Sequence, residues 1–292
     1  MNKEAMKQQI QEALSKKLGD SFHITIQKVF KTNVTLDGLI IMQDGKTFTP
    51  TIYLEPFYEE LESDTPLDDV VCNILQTYFK ADVHPEHFDL TPITDFGRVR
   101  NMLYVQLINR HSNEELLQDV PHALFLDDFA IVIRCAIEMH TEGSASFLVH
   151  NNHLDMWRTD HETLLSYALH NTREMFGVEL VKLGDLLRET APEVVTQDLP
   201  DCPLWVMTNS RKLTGATTVL FDDVLKSFAE EHGSFYVIFS SVHEVLLMPT
   251  PDDSDINTIT RMNQEVNETQ VDEEEILGTK AYFYHKDRGF VL

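Results

Sequence analysis

Apolar residues along this chain first recur with the period of an α-helix. Met6, Ile10, Ala13, Leu14 and Leu18 share one face of residues 2–18, and Gly19 stands where a left-handed residue closes a helix. The period then drops to two, because Phe22, Ile24 and Ile26 alternate with His23, Thr25 and Gln27. A second apolar run, Leu39 to Met42, ends at the hairpin signal Asp44-Gly45, and a third strand is expected over Thr47–Leu54. Leu67, Val70, Val71, Ile74, Leu75, Tyr78 and Phe79 then form a complete helical stripe. Phe96, Val99, Leu103 and Leu107 predict one more helix, ending near Asn109. The polar stretch Arg110–Asp119 marks a boundary, so two closely packed halves are expected, 1–115 and 116–292.

In the second half, strands over Phe129–Ile137 and Ser146–Val149 lead into a helix that starts near Thr159. Thr159 and Glu162 have capping-box spacing, and Leu164, Leu165, Ala168 and Met175 mark the buried face. Strands at Leu204–Thr208 and Thr217–Leu220, then a helix at Asp223–Glu231 closed by Gly233, give the same order again, a possible degenerate strand–strand–helix repeat. Strands follow at Phe235–Phe239 and Val245–Met248. The acidic stretch Pro251–Glu275 keeps helical spacing at Ile256, Ile259, Met262 and Val266, the pattern of a docked surface helix, and a last strand covers Ala281–Tyr284. The fold class is α+β, with antiparallel or mixed sheets and packed helices.

Composition changes this picture in one respect. Hydrophobic residues make up 42% of the 292, enough for an ordinary core, but 48 acidic side chains face 23 basic ones, a formal charge of −25. No Lys/Arg run offsets that charge, so direct nucleic-acid binding and anionic membranes are disfavoured. A protein partner with a basic surface, or simple solubility, fits better. Cys72, Cys135 and Cys202 are odd in number and lack metal-type spacing, which predicts reduced, buried thiols. The N-terminal residues lack an apolar signal-peptide core, and no run of about 18 apolar residues occurs, so a cytoplasmic location is expected. No cofactor is called for.

Candidate chemistry is sparse. Gly45-Lys46-Thr47 lacks the earlier glycine of a phosphate-binding loop, because residue 40 is Ile. His150 and His153 form HxxH, a weak metal candidate with only Asp155 as a nearby third ligand; a polar turn explains it equally well. His84 and His87 flank Pro85 in the same way. Ser240-Ser241-Val242-His243-Glu244 joins two apolar strands, and Ser241, His243 and Glu244 are the residue types of a hydrolase. On an extended strand, however, Ser241 and His243 would face one side and Glu244 the other. Asn209 ends a neighbouring strand and is placed to join His243 in binding a small polar ligand or a partner backbone; turn chemistry is the competing explanation. Tyr53, Phe57 and Tyr58 around Pro56 either form an acidic-aromatic interaction patch or pack a strand-to-helix junction, and Trp157 and Trp205 are expected in the core.

Several of these segments have a familiar order. Ile52-Tyr53-Leu54-Glu55 with Phe57-Tyr58, Leu107-Ile108-Asn109 and Asp128-Phe129-Ala130-Ile131-Val132 come first. His153-Leu154 with Trp157, the Ala168 to Thr172 segment and Met207-Thr208-Asn209 with Gly215-Ala216 come next. Ser240 to Glu244, Val266-Asn267 and Glu274-Glu275-Ile276-Leu277 complete the pattern. It resembles, over nearly the whole chain, an uncharacterised clostridial family of Firmicutes proteins. The resemblance implies a bacterial source and supplies no activity or functional residues. The leading expectation is therefore a non-catalytic protein-binding or adaptor protein. A hydrolase-like enzyme at Asn209, Ser241, His243 and Glu244 is the alternative, and a nucleic-acid mimic from a mobile element is the third.

Overall fold

A computed structural model describes residues 2–46, 49–80, 91–140, 143–190, 203–249 and 256–291. Cys202, His84, His87 and Thr47 lie outside the described residues, as do residues 251–255 of the acidic stretch and the side chains of Met262 and Val266. The protein is α+β, and its sheets are antiparallel throughout the described residues. Two compact units divide it, Met1–Leu90 and Thr91–Leu292, so the division falls before the polar stretch at Arg110–Asp119.

In the first unit, helix α1 (Lys3–Leu18) starts where the Asn2 side chain accepts the Ala5 N–H at 3.1 Å. Strands β1 (Phe22–Lys31) and β2 (Val34–Gln43) pair along their full lengths. Their hairpin turns at Thr32-Asn33, where Asn33 takes the left-handed conformation that asparagine tolerates. A short strand, β3 (Thr51–Tyr53), adds to β2. Helices α2 (Glu55–Glu62) and α3 (Leu67–Lys80) complete the unit. Met6, Ile10 and Leu14 pack with Leu39, Ile41, Ile52, Val70, Val71 and Ile74. Phe57 and Tyr58 are buried in the same core, so they pack the junction and do not form an exposed patch.

Two expectations for α3 need correction. Phe79 is 60% exposed, because the last turn of the helix runs beyond the core that buries Val70, Val71 and Ile74. Cys72 is exposed as well, with the Lys17 ammonium 3.2 Å from its sulfur, whereas Cys135 is buried.

The second unit opens with two short helices, α4 (Thr91–Thr94) and α5 (Phe96–Val99), and strand β4 (Leu103–Asn109). The helix expected through Asn109 therefore stops at Val99. The strand is buried on both faces, so apolar residues occupy both of them, Gln106 being the one buried polar exception, and the period-two signal is lost. After α6 (Glu114–Leu117) and β5 (His122–Phe125), the long strand β6 (Phe129–His140) pairs with β4, β5 and β7 (Gly143–Leu148). Helix α7 (Asn151–Trp157) precedes α8 (His161–Phe176). Asp160, and not Thr159, caps α8, since its carboxylate accepts the Thr163 N–H at 2.8 Å.

Next come β8 (Glu179–Lys182), α9 (Leu183–Thr190) and β9 (Trp205–Thr208). The strand expected at Thr217–Leu220 is a 3-10 helix, Gly215–Leu220. Its β-branched residues suggested a strand, but the Thr217 and Thr218 hydroxyls donate to the carbonyls three residues back, at 2.8 and 2.7 Å. The strand–strand–helix order is thus not repeated. Helix α10 (Asp222–His232), β10 (Phe235–Ile238), β11 (Val245–Pro249), α11 (Ile256–Gln270), β12 (Ala281–His285) and β13 (Gly289–Val291) follow. The second sheet of this unit has the order β13-β12-β10-β11-β9-β8. Ile259 of α11 covers Tyr236, Ile238 and Ala281 on one face of that sheet, as a docked helix should. Phe235, Val237, Phe239 and Leu247 point into the main core with Phe129, Ile131, Ile133 and Trp157, while Trp205 is half-buried against it.

Replacing Leu14 by Ala should lower the stability of the first unit by about 2–5 kcal/mol, through lost burial and the cavity left behind. Phe79→Ala should stay within about 0.5 kcal/mol of the parent, because it leaves no cavity. Urea denaturation followed by circular dichroism checks both.

Candidate functional site

The polar residues singled out in the second half meet at one end of the six-stranded sheet. The segment between β10 and β11 is a loop, so strand alternation does not decide where Ser241, His243 and Glu244 point. The loop is tied on two sides. Toward the chain's end, Val242 N–H donates to Glu275 O at 2.9 Å and Leu277 N–H donates to Ser240 O at 2.9 Å. Toward the 3-10 helix, Ala216 N–H donates to Val242 O, and the Thr208 hydroxyl donates to His243 O at 2.7 Å.

Asn209 is fully buried and organises the next turn from within. Its Nδ2 donates to Leu213 O at 2.8 Å, and its Oδ1 accepts from the N–H groups of Arg211 and Leu213 at 3.1 and 3.3 Å. This turn lies directly against the His243 loop. A Cβ added to Gly215 would stand 2.2 Å from both His243 O and Thr208 Oγ1, and 3.0 Å from Asn209 N. Only glycine allows that approach.

The His243 ring is held at both nitrogens. Nδ1 accepts from Thr214 N–H at 3.4 Å, and Nε2 lies 3.2 Å from Glu275 Oε1. The first contact requires a bare Nδ1, which leaves the proton on Nε2 to be donated to the carboxylate. Ser241 is 4% exposed, and its Oγ accepts the backbone N–H of His243 at 3.0 Å. The contact that joins these two residues therefore runs through the histidine backbone, with the imidazole turned to Thr214 and Glu275.

Burial pushes the Glu244 carboxyl above the usual glutamate range, and the Glu275 carboxylate pushes in the same direction. His243 and a hydrogen bond from Ser241 oppose the shift without cancelling it. Thr214 adds strain, since a β-branched residue holds φ at 51° and its buried hydroxyl has no partner among the described residues. Sequence reasoning found Asn209, Ser241, His243 and Glu244 but missed Thr214 and Glu275. Neither carries a local signal, because each reaches the site only through the packing of distant segments.

His150 and His153 lie elsewhere in the unit and build a helix cap. His153 Nδ1 accepts the His150 N–H at 2.9 Å, and His150 Nδ1 contacts Asp119 Oδ2 at 2.8 Å. His153 also stacks on Trp157, and burial there lowers its proton affinity. Among the described residues, no three His, Cys, Asp or Glu side chains converge as a metal-binding group.

A second polar cluster surrounds Asp128, at the turn between β5 and β6. Its carboxylate receives the Tyr282 hydroxyl at 2.5 Å and the Lys280 ammonium at 2.7 Å, and lies 3.2 Å from His111 Nε2. Burial works against its ionisation, but these three groups outweigh burial and hold the acid below the usual aspartate range.

An α+β chain built from two units, with a braced polar loop at a sheet end, defines a class of architecture without an assigned activity. The chain belongs to DUF5688, a family of unknown function, whose pattern matches residues 3–286. No curated protein and no solved structure matches it. Among the described residues, no helix is long and apolar enough to cross a membrane.

Gly215→Ala should cost about 3 kcal/mol, at the upper end for overpacking, because backbone and not a flexible tip blocks the new methyl. Thr214→Gly should instead gain about 1 kcal/mol by releasing the left-handed strain. Thermal denaturation of both variants checks the opposite signs. For Glu244, folding favours the protonated acid, so its contribution to stability is complete below the ordinary glutamate range and declines as pH rises through the folded-state value. Glu244→Gln should therefore raise the denaturation midpoint at pH 7 and give no gain near about pH 4, where glutamate in the unfolded chain is itself protonated.

Proposed function

We propose that this protein is a non-catalytic binding or adaptor protein that captures a protein partner, in the cytoplasm of a clostridial bacterium. The observation that carries this reading is Phe79, a large aromatic residue left 60% exposed at the end of α3. It lines a groove of about 440 Å³ with Cys72, Leu75, Gln76 and Lys80. An exposed aromatic beside an apolar groove is the anchor that protein interfaces use, and desolvating it supplies binding free energy. The net charge of −25 selects a partner that surrounds its apolar contact with Lys or Arg and accelerates their encounter. The hydrogen-bonding groups of Asn209, and those of Ser241 and His243 named above, are taken up in bracing loops, which also favours binding over catalysis.

A second reading, a hydrolase-like enzyme, is favoured by one observation: the Glu244 carboxyl, displaced upward beside His243 and Glu275. In that case Ser241→Ala and His243→Ala would abolish turnover in a screen of ester and amide substrates, while the fold survives.

The binding reading is tested by affinity capture from native lysate with the wild type and Phe79→Ala, at low and raised salt. One stoichiometric partner that persists at raised salt and is lost with Phe79→Ala supports it. Basic proteins captured equally by both forms, and released by salt, would leave only nonspecific charge attraction and overturn it.

A further inference from the structure

Strand β1 lies at one edge of the sheet in the first unit, with β2 on its inner side. Ser21 O accepts the Asp44 N–H at 2.9 Å, so the odd-numbered residues of β1 bond to β2. By the two-residue period of a strand, the even-numbered ones turn their N–H and C=O outward. Asp37, opposite Lys28, agrees with this register, because its N–H goes to Glu55 and its C=O accepts from Leu54. Two outward groups are taken at one end of the strand. Phe22 N–H donates to Gly19 O at 3.3 Å, and Ile24 O accepts the Gln11 side-chain amide at 2.9 Å. The outward peptide groups of Ile26 and Phe30 have no partner among the described residues.

An open edge of this length stands apart from the others in the fold. Proteins keep sheet edges short or covered, since a row of free peptide groups recruits other strands. The edge strands β3 and β13 have three residues each, and β5 and β8 have four. The seven-residue β4 is covered by α8, where Thr172 Oγ1 accepts the Val105 N–H and Asn171 Nδ2 donates to Leu103 O, both at 2.9 Å. Strand β1 has ten residues.

A groove of about 510 Å³ opens beside the uncovered stretch. Ile26, Gln27 and Lys28 line it on the strand side, and Glu4, Gln8 and Gln11, one stripe of α1, line the other. From Ile26 to Phe30 the edge runs roughly 13 Å, the reach of a short extended segment. The charged side chains of the groove balance: Lys7 bridges Glu4 at 2.7 Å and the buried Asp37 at 3.0 Å, and Lys28 supplies the second base. In a chain of net charge −25, this amide-lined and locally neutral surface complements an uncharged polar segment. A second copy fits it poorly, because two chains at −25 repel and an edge lysine such as Lys28 is a device against self-pairing.

We propose that the β1 edge binds an extended, uncharged segment of a partner protein, rich in Ser, Thr, Asn and Gln, as an added strand. The peptide groups of the segment pair with those of Ile26 and Phe30, and its inward side chains meet the amides of Gln8 and Gln11. The Gln11 amide on Ile24 O occupies the place that a further N–H of such a strand would take. The site does not depend on the α3 groove or on the His243 loop, so it stands whichever of those readings holds.

The test is amide hydrogen exchange on the isotope-labelled full chain, with a capped heptapeptide that alternates Thr and Gln. In the free protein the amides of Ile26 and Phe30 should exchange at least tenfold faster than those of Thr25, Gln27 and Val29, which are bonded to β2. Saturating peptide should slow the first pair at least tenfold and leave the other three unchanged. N-methylation of the Gln residues of the peptide should abolish this effect and N-methylation of its Thr residues should spare it. In an antiparallel strand whose Gln side chains face α1, only the Gln N–H groups point at β1. Gln8→Trp, at an exposed helix position, fills the groove. It should weaken the peptide at least tenfold while the melting temperature stays within about 2 °C of the parent. No slowing by the peptide, or the same result with both N-methylated peptides, overturns the proposal. So does slow exchange of Ile26 and Phe30 in the free chain; if that slowing rises with protein concentration, the occupant is a second copy. A peptide with Lys in place of Gln that binds more tightly at raised salt would overturn the assignment to an uncharged segment.

Discussion

A peptide group buried outside regular structure must still find a hydrogen-bond partner, and in residues 91–292 asparagine side chains meet that demand repeatedly. Asn209 closes the turn after β9 from inside the protein. Asn109 donates to Leu277 O at 3.0 Å, while Asn263 and Asn267 both donate to Gly278 O, at 3.2 and 2.7 Å. Asn171 on α8 takes the carbonyls of Arg100 and Leu103 where β4 begins. Each amide carries two donors and an acceptor on a short, stiff stem, so it reaches a carbonyl that no neighbouring strand can serve. The 276–278 segment, the loop after β10 and the entry to β4 are irregular, yet they remain fixed because these bonds exist.

That bracing explains why the His243 loop has a definite geometry. The loop is clasped between the turn that Asn209 builds and the segment that Asn109, Asn263 and Asn267 hold. Gly215 lets the two backbones meet, and Gly278 does the same against Phe129 and Phe239, whose rings lie 4.4 Å apart. Strain collects where the clasp is tightest. Thr214 is held left-handed, Glu244 is kept from ionising freely, and His243 is locked into one tautomer by Thr214 and Glu275. Packing elsewhere over-determines these positions, which is what allows the strain to persist.

The α3 groove and the surroundings of Arg134 differ in chemistry. The α3 groove is apolar and open, and an acidic protein presents it most favourably to a partner rich in Lys and Arg. Arg134 is half-buried in a sheet face, where Ser146 and Gln106 hold its guanidinium.

The sequence by itself determined the elements whose two faces differ and the strands that are apolar throughout. The stripe of α1 and the alternation that starts β1 were legible because one side meets water and the other does not, and the glycine that closes α10 and the apolar runs of β10 and β11 were legible from residue type. Packing of the strand-to-helix junction by Phe57 and Tyr58 was visible as one of two roles, and glycine at position 215 was visible too, though not its purpose. Only tertiary structure decided the rest. Strand β4 is buried on both faces and so carries no period, and the β-branched run 217–220 closes a 3-10 turn with its own hydroxyls. Glu275 reaches His243 from 32 positions along the chain, and Arg134 lies among Gln106 and Ser146 only because β4, β6 and β7 pair in that register. Contacts of this kind leave no local pattern, since a residue's partner across a sheet is set by the pairing of whole strands and not by its neighbours in sequence.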